Sequence, residues 1–204
     1  MIKQLVLRFK KRTKKNLGKN IIMKLLFITF IFVFFSYSAE FVTDEIIKRV
    51  DEKYGLFAEK RFKSLQKLIL ELQGANDMKK LEEVNNFFND VSYSSDKDTY
   101  GVTDYWATPF EFLSHGEGDC EDYAIAKYFL LTHLGIASNK MFIPYVNVEG
   151  YSQAHMVLTY FDNPSAEPYI LDNFKTELLS ASQRTDLKPI YYFNYCWCFY
   201  YTLH

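Results

Sequence analysis

Cys120 stands in the run Gly118-Asp119-Cys120-Glu121-Asp122, a thiol among three carboxylic acids. A thiolate is a strong nucleophile, yet neighbouring carboxylates oppose its formation. Helix geometry offers a partial remedy. If Asp119 is an N-cap, Cys120 is the first helical residue, where unpaired backbone N–H groups and the positive end of the macrodipole favour an anion. Gly118 allows a tight entry to that helix, and the same N–H groups suit an oxyanion. A cysteine nucleophile also needs a base and a group that orients the base. The chain has four histidines: His115, His133, His155 and His204. His204 is the last residue, His133 lies near the far end of the Cys120 helix, and His115 belongs to the approach loop. His155 opens the alternating run AHMVL, with Met156 and Leu158 on the opposite face. Asp172 follows the apolar run YIL at the end of a strand. Cys120, His155 and Asp172 thus form a candidate triad. The bland alternative is an inert, buried cysteine in a helix that takes acids in its first turn.

The elements that must place these residues are legible from periodicity. Apolar spacing of three and four predicts helices over Phe41 to Tyr54, Leu56 to Leu72 and Met78 to Val91. SYSSDKDTYG reads as a loop. Thr108, Pro109 and Glu111 form a capping box with proline at the first helical position, so a short helix begins there. The Cys120 helix carries Tyr123, Ala124, Ala126, Phe129, Leu130, Leu131 and Leu134 and can end at Gly135. From Met141 the pattern changes to strands: MFIPYVNV, AHMVLTYF, PYILDNF and an aromatic run from Ile190. Helices first and strands after predict an α+β domain, with the nucleophile helix packed on an antiparallel sheet.

The 204 residues are 49% hydrophobic and 18% aromatic, enough for one domain with a sizeable core. The start is different in kind. Nine Lys or Arg and no acid lie between Lys3 and Lys24, followed by LLFITFIFVFF and the small residues Ser36 to Ala39. That order is a secretory signal, with cleavage after Ser38. Residues 1–38 are therefore assigned to a basic segment and signal peptide, and 39–204 to a single domain. The apolar run is shorter than the roughly 20 residues that span a bilayer. Met23, directly before Lys24, is a second candidate start. Losing nine of the 24 basic residues leaves 15 against 25 acids, a net charge near −10. Such a domain is a poor partner for nucleic acid. Cys196 and Cys198 share a strand face and would be strained as a direct pair, so they read as small hydrophobes.

GDCEDYAIAKY, followed by QAHMVL and ILDN, resembles the bacterial transglutaminase-like cysteine proteinases, as do the upstream VNNFFND and DYWATPFEFL. The resemblance implies a papain-like or transglutaminase-like core. It also implies that Cys120 is the nucleophile, His155 the general base and acid, and Asp172 the orienting group. It further implies calcium dependence, with the ion at Asp119 and Glu121 and Asp122 as a further ligand. On the residues alone, these acids either complement the helix dipole or hold a cation, two readings of about equal weight. The resemblance implies a periplasmic enzyme that releases a large surface adhesin, and so controls biofilm attachment, by cutting near the adhesin's N-terminus at a small-residue site. An inner-membrane receptor for cyclic di-GMP is the implied partner that holds it back. Acyl transfer or amide hydrolysis by the same triad, and a non-enzymatic calcium-binding module, are the alternatives. Tyr105 and Trp106 are candidates for a cleft wall, though core packing explains them as well.

Overall fold

The computed structural model describes residues 41–193. The basic segment, the signal peptide and its cleavage site, and Cys196 and Cys198 lie outside the described residues.

Three helices come first: α1 (Asp44–Tyr54), α2 (Leu56–Glu71) and α3 (Asp77–Asn89). Each start has a physical cause. The Thr43 hydroxyl accepts from the Ile46 N–H at 3.2 Å, and Asn76 accepts from the Lys79 N–H at 2.9 Å, each satisfying a donor that the helix leaves free. Gly55, at φ 81°, takes the chain directly from α1 into α2 in a conformation that a side chain would disfavour. The inward face of α2 is Ala58, Phe62, Leu65 and Ile69, spaced as the periodicity predicts. α3 contributes Leu81, Val84 and Phe88 to the same core.

The predicted loop after α3 holds more structure than its composition suggests. A two-residue strand, β1 (Ser92–Tyr93), and a single helical turn, α4 (Asp96–Thr99), precede α5 (Pro109–His115). The capping box at Thr108 and Glu111 is present with Pro109 in the first turn, as expected. A second short strand, β2 (Glu117–Gly118), pairs in parallel with β1 and leads straight into α6 (Cys120–His133). α6 is buried nearly all round, with Tyr123 to Tyr128 and Leu130 and Leu131 inaccessible, and so forms the centre of the domain.

The sheet is antiparallel throughout and has β3 (Met141–Val148) at its middle. One edge of β3 carries β8 (Leu187–Phe193), which begins three residues before the predicted aromatic run. The other edge carries β4 (Ala154–Met156) and β5 (Leu158–Tyr160) end to end, then β6 (Tyr169–Leu171) and β7 (Leu179–Ser180) beyond β5. The predicted single strand AHMVLTYF is thus split at Val157. Pro144 opposite it has no N–H to give, and the pair retains one bond, from the Val157 N–H to the Pro144 carbonyl at 3.4 Å. Residues alternate between the faces as strand geometry requires. Met141, Ile143, Met156, Leu158 and Leu171 join the helices in the main core. Val146, Val148, Val157 and Ile170 form a smaller cluster on the other face, against Ala181 and Leu187. The α+β architecture with the Cys120 helix on an antiparallel sheet is the one expected.

Candidate active site

The approach to Cys120 is built by close packing. β1 straps the chain that enters α6: the Ser92 N–H donates to Gly116 and the Ser94 N–H to Gly118, at 3.3 and 2.8 Å. The Tyr123 hydroxyl ties the first turn of α6 to the Val91 carbonyl at 2.6 Å. Gly118 has no room for a side chain, since a Cβ there would lie 2.4 Å from Asp122 Oδ2 and 2.6 Å from Phe112 Cδ2. A Gly118→Ala substitution is expected to destabilise the domain by about 2 kcal/mol through overpacking, read as a lowered urea midpoint. An unchanged midpoint would mean that Phe112 and Asp122 move aside freely.

Asp119 is the N-cap residue in extended conformation, and Cys120 is the first residue of α6. Asp122, fully buried, accepts from the Asp119 N–H at 3.4 Å and from the Ala107 N–H at 2.8 Å, so it fixes both the helix start and the incoming loop. The Cys120 thiol donates to Glu121 Oε2 at 3.1 Å. Burial, then the charge and hydrogen bond of Glu121, push this thiol well above its ordinary range. A bond from the Met156 N–H opposes them and places the sulfur against β4, one residue from His155. Burial and the local carboxylates together outweigh the macrodipole here.

His155 is buried on β4, and Asp172 is the residue after β6. His155 Nε2 lies 2.7 Å from Asp172 Oδ1, which also accepts the Phe174 N–H at 2.9 Å. Burial would raise the Asp172 carboxyl, but bonds from His155, Phe174 and Arg184 hold it below its ordinary value. An ionised Asp172 only accepts, so Nε2 carries the proton and Nδ1 of the neutral ring is the free base. The Phe174 ring packs edge-on against His155 at 5.4 Å and against Tyr151 at 4.7 Å.

The acids form two overlapping groups. Asp96, Asp119 and Asp122 bring carboxylate oxygens within 4.8 Å of one another, and so do Asp96, Asp104 and Glu121. The expected set of Asp119, Glu121 and Asp122 is therefore divided between two groups that meet at Asp96. Asp96 and Asp104 carry no signal in the sequence, because they come from an irregular stretch far from Cys120 along the chain. The Tyr105 N–H donates to Asp96 Oδ2 at 2.5 Å, while Asp96 Oδ1 and Asp119 Oδ1 are buried with no hydrogen-bond partner. Burial raises Asp96, burial and Glu121 raise Asp119, and burial brings Asp122 to about 7. Buried carboxylate oxygens without donors are costly, and a hard cation that takes oxygen ligands offsets that cost. The residues fit calcium.

Trp106 packs at the margin of the main core, and the Tyr105 ring lies tilted against Tyr100 at 4.4 Å while its hydroxyl donates to Glu111 at 3.0 Å. Tyr93, which is largely exposed, and Tyr145 both lie within electrostatic reach of Cys120. Tyr145 also stacks on Tyr191 at 5.1 Å.

A thiol at the start of a central helix, packed on an antiparallel sheet that carries a His–Asp pair, is the layout of papain-like and transglutaminase-like cysteine enzymes. The model of the bacterial transglutaminase-like cysteine proteinases matches residues 59–196, and the chain belongs to that family and is a cysteine peptidase. It is 42% identical to calcium-bound LapG of Legionella pneumophila, with a TM-score of 0.66 over 74% of this chain and 83% of that one. LapG of the same organism, in a further structure, is 41% identical with a TM-score of 0.67, over 77% of this chain and 87% of that one. Its EGTA-treated form is 42% identical with a TM-score of 0.67, over 76% and 84%. No curated protein matches the chain.

Proposed function

We propose that the protein is an exported, calcium-dependent cysteine endopeptidase that cuts the N-terminal region of a large surface adhesin. The observation that carries this reading is the His155–Asp172 pair at 2.7 Å, set on the strand whose next N–H bonds the Cys120 sulfur. His155 Nδ1 takes the thiol proton, and the Cys120 sulfur attacks the scissile carbonyl carbon. The C–N bond then breaks as His155 returns that proton to the leaving amine, and a thioester remains. Water, deprotonated by His155, hydrolyses the thioester and restores the thiol. N–H groups in the first turn of α6 stabilise the oxyanion. Asp96, Asp104, Asp119 and Glu121 would hold calcium, with Asp122 as cap and further ligand. When bound, the cation neutralises the acid cluster and lowers the cost of charge on the neighbouring thiol. LapG structures in calcium-bound and EGTA-treated forms support the choice of ion. The resemblance to the family's adhesin proteases supports the substrate, the periplasmic location and control by an inner-membrane cyclic di-GMP receptor.

The test is incubation of the purified protein with an adhesin N-terminal fragment from the same genome, in calcium and in chelator, with products identified by mass. One cut at a small-residue site, present only with calcium, is expected. A folded protein with reactive Cys120 that leaves the fragment intact under both conditions would point to a different acyl substrate.

A further inference from the structure

Arg184 is a buried guanidinium that the mechanism above leaves without a task. It follows the 3-10 turn Ala181–Gln183, and its backbone is fixed on both sides: its N–H donates to Ala181 at 3.0 Å and its carbonyl accepts from Leu187 at 3.1 Å. Its side chain is 1% exposed. Nε and one terminal nitrogen grip Asp186 at 3.1 Å each, a paired contact suited to the planar fork of arginine. The other terminal nitrogen lies 2.7 Å from Asp172 Oδ2 as an ion pair, and neither of these two atoms has an aligned hydrogen bond. Asp186 is itself held by Lys175 at 3.1 Å, so the guanidinium is anchored from the outer side of the domain. Burying a cation this completely costs several kcal/mol unless it is well paired, and here the inner partner is the carboxylate that bonds His155.

We propose that Arg184 is a positioning residue for the Cys120–His155–Asp172 site: by bridging Asp186 and Asp172 it keeps the Asp172 carboxylate ionised and turned toward His155. The inference rests on the peptidase reading only for its substrate, because the geometry concerns the thiol and its base. The remaining groups around Asp172 are accounted for. His155 from β4 and the Phe174 N–H share Oδ1, and Asn89 Nδ2 from α3 donates to the Asp172 carbonyl at 2.8 Å. Lys127 from α6 bonds Asn89 Oδ1 at 2.7 Å, and burial lowers its ammonium to about 7 while Asp172 opposes the fall. Lys127 is thus a poor substitute for Arg184 at neutral pH. With Arg184 gone, Asp172 would be a buried carboxylate with little compensating charge, and would take up a proton at higher pH. Protonated, it no longer orders the tautomer of His155.

The test reads the alkylation rate of Cys120 by iodoacetamide against pH in the full chain, for wild type, Arg184→Gln and Arg184→Lys, with fragment cleavage measured alongside. In Arg184→Gln the acid limb is expected to move up by about one pH unit or more, a loss of about tenfold in rate at a pH inside the moved limb. Arg184→Lys restores the charge and returns the limb toward wild type. Its limiting rate stays reduced, because one ammonium does not span two carboxylates as a fork does. A folded Arg184→Gln protein whose limb is unmoved overturns the proposal, as does a lysine variant that shows the same limb as the glutamine one. Should Arg184→Gln not fold, the lysine variant decides alone: a reduced limiting rate supports positioning, and a wild-type rate overturns it. Alkylation that depends on Arg184 in a protein that cuts no adhesin would sink the substrate and leave this proposal standing. Cutting that persists with Arg184-independent alkylation would do the reverse.

Discussion

Cys120→Ala and His155→Ala are each expected to lower peptide cleavage by about 10⁶-fold, with the double variant little worse than either. The reason for this non-additivity is that in the proposed mechanism the thiol and its base act in one proton transfer, so losing either removes the same step. Asp172→Asn should cost about 10⁴-fold, and the contacts of Asp172 say why an isosteric change is so damaging. Asp172 Oδ1 receives the Phe174 N–H and His155 Nε2, and Oδ2 faces Arg184. An asparagine amide has one oxygen and one nitrogen for these positions. If its nitrogen faces Arg184, two donors meet in a buried site. If its nitrogen faces His155, it opposes the Phe174 N–H and forces Nε2 to become an acceptor. The proton then moves to Nδ1, and the ring loses the free base that takes the thiol proton. Single-turnover cleavage of the adhesin fragment checks the series, and far-UV circular dichroism checks that each variant is folded. A Cys120→Ala protein that still cuts would remove Cys120 from the chemistry altogether.

The difference between what the sequence discloses and what it hides follows from range. The α6 start is local: Gly118, Asp119 and Cys120 are adjacent, and the capping pattern at Thr108 and Glu111 spans one turn. His155 and Asp172 are legible because one opens an alternating run and the other follows a short apolar one, both patterns of a strand. Arg184 is not, because SQRTDL has no period and its value depends on Asp172 across the sheet. Asp96 and Asp104 are hidden for the same reason, since the turn that carries Asp96 is four residues long. The β1–β2 ladder pairs only two residues on each strand, too few for alternation to register. The break at Val157 shows a subtler limit. The run AHMVLTYF looks continuous by itself, and only the partner strand reveals that the facing residue is a proline.

Asp96→Asn is expected to abolish the response to calcium, because Asp96 belongs to both acid groups and no other residue does. In the wild-type protein, calcium at about 100 times its dissociation constant should add about 2.7 kcal/mol of stability, and chelator should remove it. The pH dependence in chelator gives a second reading. Asp122 is raised from 3.8 to about 7 in the folded chain, with burial as the main cause. A carboxyl raised on folding binds its proton more tightly in the native state, so its contribution is present at acid pH. That contribution falls as pH rises from about 4 toward 7. Asp96 and Asp119 are raised in the same direction and steepen the loss. At the proposed site calcium would bind the ionised carboxylates, so it should flatten this slope and widen the gap between the two curves toward neutral pH. Asp96→Asn removes one of the buried charges, so in chelator its slope should be shallower than wild type and unchanged by calcium. Thermal unfolding in calcium and in chelator across that pH range checks both expectations. A variant that gains as much from calcium as wild type does would move the ion away from Asp96.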